Sequence, residues 1–336
     1  MSSKPSPRAE SRSAGAGSLL DALLRRRVVF VAGKGGTGRT TISAGLALAA
    51  VRSGMRVLAV DVEAKGDLAT ALGTQRSEFT PHLVQHNLSV LSLHAEESFS
   101  EYLRVFFKVP RVTRLTPLAR VFDFIATGVP GPRDMLVVGK IAFEERRREP
   151  NGRAVWDLII VDCAASGHTV SHLAAARAML TLVRGGLIRS QVEWVDAMVR
   201  DAARTTAVVC ALPQEMPVVE AIELHQRLRS EAGVNVTACL LNRAFETRIT
   251  AAHRTLVAAM VADDHRDAVA ERLGGEPAAL AESLELAGRF QEATARYGRE
   301  LRAALPVPVV TVPLQPARTG LSMSRAVATD LAEAPL

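Results

Sequence analysis

The run GKGGTGRTT at positions 33–41 places Gly33, Gly38 and Thr40 at the spacing G-x-x-x-x-G-K-[ST] of loops that wrap phosphate. Glycines let a backbone curl so that successive N–H groups converge on phosphate oxygens, and a helix opening at the end of the loop adds its partial positive charge. Thr40 offers a hydroxyl to magnesium. The position that takes lysine in the rule is Arg39. Two carboxylates end apolar runs: Asp61 in RVLAVD and Asp162 in VWDLIIVD. A carboxylate at the C-terminal end of a strand beside such a loop can organise the waters of a magnesium ion, which is one reading of Asp162; a helix N-cap is the other.

These residues need a scaffold that presents strand ends side by side. Short apolar runs rich in Val, Ile and Leu fall at 28–32, 56–61, 88–93, 155–162, 206–212, 234–242 and 309–312, with helical patterns between them. Continuous apolar strands are those of a parallel sheet covered on both faces, so the fold class is α/β, a doubly wound, mostly parallel sheet. A helix is expected over 40–53, closed by Gly54. Two stretches, about 95–150 and 247–303, hold helical patterns without a clear strand and read as helical insertions forming a subdomain. Residues 1–25 begin Ser/Pro/Gly-rich and read as a disordered tail without an apolar leader, leaving 26–336 as the domain.

The chain has 336 residues and a net charge of +6. Its longest apolar runs fall short of the ~20 residues that span a bilayer, and a cytoplasmic location is expected. Basic runs at 25–27 and 146–148 read as solvated surface. Aromatic residues are only 4%, too few for base-stacking platforms, so nucleic acid is disfavoured as a partner. Cys163, Cys210 and Cys239 each sit in or beside an apolar run and read as buried small hydrophobes, which leaves no cysteine basis for zinc.

With Lys34 following its first glycine, the loop resembles the deviant Walker A loops of the ParA/MinD, nitrogenase iron-protein and ArsA/GET ATPases. The rest of the chain, from about 28 to 323, resembles the ArsA/GET (anion-transporting, arsenite-pump-like) ATPases. DLIIVDCAASGHTVSHL (157–173) is similar to that family's switch II, ALPQEMPVVEAIEL (211–224) to its L-P-E-E-x-P-V-x-E segment, and LLNRA (240–244) to the segment whose Asn contacts adenine. VTVPLQPARTGLSM (310–323) resembles the loop that closes over the base, and ATGVPGPRDMLVVGKI (126–141) a stretch of bacterial, actinobacterial-type members. The resemblance implies ATP and Mg²⁺ as ligands and a nucleotide-bridged dimer, with itself or with a paralogous ATPase, that handles a hydrophobic client. It implies a phosphate site at Gly33, Lys34, Gly35, Gly36, Thr37, Gly38, Arg39, Thr40 and Thr41, with Asn242, Pro313 and Leu314 at the base. Catalytic roles fall to Lys34, which reaches across the dimer, to Asp61, the switch I aspartate that positions water, and to Arg39. Metal roles fall to Thr40 and, through water, to Asp162. Asp61 also reads as a solvated strand-end acid and Asn242 as a strand-end turn residue. Gly167 is expected to hinge switch II, and His168 to be structural.

Three departures matter. Arg39 replaces a compact charge with a larger planar one. Switch I reads DVEAKG where the arsenite-pump and targeting branch has DPAHN, and switch II lacks the usual proline. They motivate a second reading, a nucleotide-binding regulatory subunit paired with an active paralogue. A third, a ParA/MinD-type positioning ATPase acting on DNA or membrane, rests only on the basic charge; SRAVATDLAEAPL is too short and acidic for a strong membrane helix. The apolar residues Met179, Leu180, Leu182, Leu187, Ile188, Trp194 and Met198, and the run FSEYLRVFF (99–107), read as core rather than as a client groove.

Overall fold

The apolar runs fold into strands whose residues alternate between two buried faces. In β1 (Val28–Gly33), Val28, Phe30 and Ala32 enter one core, and Val29 and Val31 the other. The same holds for β2 (Val57–Asp61), β4 (Leu88–Ser92), β5 (Leu158–Asp162), β6 (Thr205–Ala211) and β7 (Val236–Ala244), while β8 (Val309–Pro313) is half-buried. The structure is a computed structural model describing residues 17–63, 65–75, 78–93, 132–262, 264–273, 277–315 and 318–336. Its sheet has eight strands in the order β3-β4-β2-β5-β1-β6-β7-β8, with all neighbours parallel except β3 (His82–Gln85) against β4. The expected parallel α/β sheet is therefore present.

Helices, numbered through the described residues, cover both faces. One face holds α1 (Leu19–Leu24), α2 (Arg39–Arg52), α3 (Asp67–Ala71) and α11 (Gly320–Glu333). The other holds α4 (Pro132–Arg146), α5 (Ser166–Leu182), α6 (Gly186–Arg200), α7 (Glu215–Arg227), a π-helical turn Leu228–Ala232, and the C-terminal end of α10 (Pro277–Ala304). The second insertion consists of α8 (Ala251–Met260), α9 (Arg266–Leu273) and α10. Helix α2 runs almost wholly buried and packs closely on α11: a Cβ at Gly45 would stand 2.8 Å from Val327 Cγ1. Helix α2 stops where expected, with Gly54 at φ 82°.

Three expectations change. Within the tail expected over 1–25, residues 19–24 form α1, because Leu19, Leu20 and Leu23 make an apolar face that seals against α2 and α11, while Leu19 N–H donates to Ala334 O and Leu336 N–H to Gly17 O; residues 1–16 lie outside the described residues. Strand β3 was not expected; it is a short edge strand whose residues alternate in burial, unlike the continuous apolar runs. Part of the first expected insertion, α4, is a layer helix, with Met135, Val138 and Ile141 in the core; residues 94–131, including the run 99–107, lie outside the described residues.

The basic runs are internal fasteners as well as surface. Arg27 donates to Asp157 O at 3.0 Å and lies 3.5 Å from Glu145, which also pairs with Arg204 at 2.8 Å. Arg147 pairs at 2.7 Å with the buried Glu144, which also meets Lys140 at 3.1 Å and the Trp156 indole N–H at 3.1 Å. Arg56 pairs with Asp157 at 2.9 Å and Glu149 at 2.8 Å. This network ties α4 to the edge of the sheet where β1, β2, β5 and β6 begin.

The cysteines are free and buried, and burial pushes the thiols of Cys163 and Cys239 up to about 12. Of the apolar residues after switch II, Met198 is fully buried, Met179, Leu180 and Trp194 pack partly buried on the core, and Leu182 is exposed; the side chains at 187 and 188 lie outside the described residues. No described helix is long and apolar enough to cross a membrane.

Candidate functional site

Because β1, β2 and β5 are parallel neighbours, their C-terminal ends share one edge, and the chemistry gathers there. Asp61 and Asp162 are direct partners in the β2–β5 register, and Asp162 pairs with Val31, two residues before the glycine loop. The loop leaves β1 at Gly33 and enters α2 at Arg39, with positive φ at Gly33 (157°), Gly36 (83°) and Gly38 (87°). A side chain at Gly33 would collide with Cys210 O at 2.7 Å and Thr37 Oγ1 at 2.9 Å, so glycine is required for close passage over β6. Gly35 and Gly36 have open space where a Cβ would stand, which leaves that side of the loop free for a ligand. The cradle with an open mouth at a helix N-terminus fits a phosphate chain.

The loop is held in shape from within. Thr37 is buried, and its hydroxyl donates to Lys34 O at 2.8 Å. The Asn242 amide donates to Thr37 O at 2.8 Å, while its oxygen accepts Arg243 N–H at 2.9 Å, with Arg243 in the left-handed region at φ 54°. In this arrangement both ends of the Asn242 amide serve the loop and its own strand end. Pro313 and Leu314 end β8, roughly 14 Å sideways at three strand spacings from β1. Leu314 is 40% exposed and its N–H donates to Ala244 O at 2.9 Å.

The acidic pair is buried and polar-bonded. Burial pushes the Asp162 carboxyl up to about 7; hydrogen bonds from the Thr40 and Ser43 hydroxyls and the charge of Arg39 oppose this, and Asp61 adds to it. Ser43 lies 3.3 Å from Asp162 Oδ1. Thr40 and Asp162 thus meet where a magnesium ion beside the loop would need a hydroxyl and a water-ordering carboxylate, and the donor set suits that hard cation. Among the described residues there is no cluster of three His, Cys, Asp or Glu arranged for a metal ion. Asp61 accepts Glu63 N–H at 3.1 Å and Gly66 N–H at 3.2 Å, so it also shapes switch I.

The two cations of the loop take different directions. Lys34 pairs with Glu220 of α7 at 2.5 Å, with its side chain 37% exposed. Arg39 donates from Nη1 to the carbonyl of Cys163, at the start of switch II. On that same segment, Ala165 N–H donates to Glu63 Oε1 at 3.2 Å, and Glu63 also pairs with Lys65 at 2.8 Å. Burial pushes the Glu63 carboxyl up, but the hydrogen bonds of Lys65 and Ala165 and the charges of Lys65 and Arg39 hold it below its ordinary value. Gly167 lies exposed in the first turn of α5, with open space around it. His168 is exposed, and His172, not His168, carries the contact to α4, 3.2 Å from Asp134. Sequence reasoning assigned no role to Glu63, Ser43 or Glu220; Glu220 is the last residue of the L-P-E-E-x-P-V-x-E match within 211–224, and Glu63 stands two residues past Asp61.

Comparison with known proteins agrees with this geometry. Residues 26–185 match the anion-transporting ATPase (ArsA) family. The ATPase BagA of Mycobacterium tuberculosis is 30% identical over 222 residues, a stretch covering 65% of each chain. The ATPase get3 of Schizosaccharomyces japonicus is 26% identical over 148 residues, 43% of this chain and 42% of that one. The ATPase ARSA1 of Chlamydomonas reinhardtii is 23% identical over 269 residues, 62% of this chain and 34% of that one. The matched stretch, 26–185, contains the glycine loop, both strand-end aspartates and switch II, all on one parallel sheet edge: this stretch is that of the ArsA/GET anion-transporting ATPase family, and the chain spans just under two thirds of the length of the mycobacterial relative.

Proposed function

We propose that this chain is a MgATP-dependent ATPase that works as a nucleotide-bridged dimer, with itself or a paralogue, and passes its nucleotide state to the helices beyond its switches. The observation that carries this reading is the convergence of the open glycine cradle, Thr40 bonded to Asp162, and Asp61 in register beside it. The backbone of residues 33–41 holds the phosphates, with Arg39 as the cation nearest them. Thr40, and Asp162 through water, hold magnesium, which when bound neutralises charge on the phosphate oxygens. Asp61 positions the attacking water. Asn242 supports the loop beneath the nucleoside, and Pro313 and Leu314 flank the base. Lys34 supplies a cation to the partner's phosphates; its surface position and its ion pair with Glu220 are those of a side chain that can change partners. Exposed Leu256, Leu286 and Phe290 on α8 and α10 suit a hydrophobic client of the helical subdomain. The working compartment is the cytoplasm.

Lys34→Ala is expected to lower turnover by about 100-fold, the cost of one preorganised transition-state cation, and to remove a doubling of mass on adding a non-hydrolysable ATP analogue with Mg²⁺. Turnover and mass both unchanged from wild type would defeat the dimer reading.

One observation favours the regulatory-subunit reading: the Arg39 guanidinium is directed to the Cys163 carbonyl. If that is its main use, Arg39→Lys raises hydrolysis by more than about 10-fold, near 1.4 kcal/mol of barrier, with little change in affinity. If Arg39 is the working phosphate cation, hydrolysis falls instead. Steady-state turnover beside nucleotide titration separates the two.

A further inference from the structure

The segment joining β5 to α5 is gripped from two sides by residues that the phosphate chemistry alone does not require to meet. Cys163 O accepts from the Arg39 guanidinium, at the first residue of α2. Ala165 N–H donates to the Glu63 carboxylate at 3.2 Å, from the loop after β2. Between them, Ala164 O accepts the Thr169 hydroxyl at 2.7 Å, so each residue from 163 to 165 has a main-chain group held. Glu63 is further steadied by Lys65 at 2.8 Å, and Val62 N–H donates to Asp162 O at 3.2 Å. The glycine loop, switch I and switch II are thus fastened together at residues 163–165.

The chemistry of the two grips differs. A guanidinium has five N–H donors in one plane, so Arg39 can keep Cys163 O while other donors face a phosphate. A carboxylate has only acceptors, as does a phosphate oxygen. Glu63 therefore occupies, as an anion on a backbone N–H and close to the charge of Arg39, the kind of place a terminal phosphate seeks.

We propose that Glu63 is an internal anion that holds the start of switch II in the absence of a triphosphate and gives it up to the terminal phosphate, while Arg39 keeps its hold on Cys163 and carries the change from phosphate to switch. This rests on the nucleotide reading above and adds the residue that sets discrimination between tri- and diphosphate. Glu63 is here a positioning residue.

The test uses the full chain, wild type against Glu63→Ala and Glu63→Gln, with thermal unfolding confirming that each variant is folded. ADP and a non-hydrolysable ATP analogue are titrated with Mg²⁺, and amide exchange is followed across residues 163–170 without nucleotide. Glu63→Ala is expected to tighten the analogue by about 10-fold, near 1.4 kcal/mol, with ADP changed less than about twofold. Exchange at Ala165 is expected to rise. Glu63→Gln keeps an acceptor for Ala165 but loses the charge, and falls between wild type and Glu63→Ala. An unchanged ratio of analogue to ADP affinity in Glu63→Ala, or unchanged exchange at Ala165, overturns the role of Glu63 and leaves the nucleotide site standing. A wild-type protein that binds neither nucleotide overturns both.

Discussion

Asp61→Asn is expected to lower ATP turnover by about 10²–10⁴-fold, the range associated with losing one positioned acid–base group, while MgATP affinity stays within about threefold. The two oxygens of Asp61 accept the N–H groups of Glu63 and Gly66, and its carboxylate lies in register with Asp162 at the mouth of the loop. An asparagine can satisfy one of those N–H groups with its oxygen, but it turns an NH₂ toward the other. The substitution therefore removes the acceptor that would orient water and loosens switch I by one hydrogen bond. Both effects act on the chemical step, because the phosphate cradle of residues 33–41 is built by a different loop. Single-turnover measurement beside equilibrium binding checks this. Turnover within about threefold of wild type would remove Asp61 from the mechanism.

Gly38→Ala is expected to cost about 100-fold or more in triphosphate affinity, the scale of an ångström-level displacement at a site. Two causes act together. Gly38 lies at φ 87° and ψ 22°, the left-handed region, where an L side chain costs about 1–3 kcal/mol. A Cβ there would also stand 2.2 Å from Asn242 Nδ2, so the amide that holds Thr37 O has to move. The collision is with a side chain, which makes the mechanism separable. In Gly38→Ala/Asn242→Ala the obstructing amide is gone and only the backbone strain and the lost strut remain. The double variant is therefore expected to bind no worse than Gly38→Ala alone, a non-additive result. Additive losses would show that the two residues act independently.

The sheet, and the gathering of the glycine loop and the two aspartates at one edge of it, were legible because each of these residues is joined to a strong local pattern. Asp61 and Asp162 stand at the last position of apolar strands, and Gly33 to Thr40 join a strand to a helix. What was not legible depends on weaker or non-local signals. Strand β3 is an edge strand with Leu83 exposed, closed by a turn with Asn87 at φ 63°, and alternation over four residues is a faint signal. Helix α1 follows directly on a Ser/Pro/Gly-rich stretch, so its composition was averaged away although Leu19, Leu20, Ala22 and Leu23 are buried. The pairings Lys34–Glu220, Arg39–Cys163 and Glu63–Ala165 span more than 100 residues each, and no local spacing encodes them. The run at 25–27 looked like solvated surface because the groups that hold Arg27, the Glu145 carboxylate and the Asp157 carbonyl, lie far away in the chain.

The packing of α2 on α11 has a consequence during synthesis. The helix that begins at Arg39 and carries Thr40 and Ser43 is made early, but the surface that buries it, residues 320–333, is translated about 270 positions later. At about 5–20 residues per second the ribosome supplies that surface roughly tens of seconds after α2 has emerged. Through that interval the apolar α2 lacks its cover, so nascent chains stalled before residue 320 are expected to bind chaperone at 39–52 and to fail to bind nucleotide. The earliest motif in the chain is among the last to become a working site.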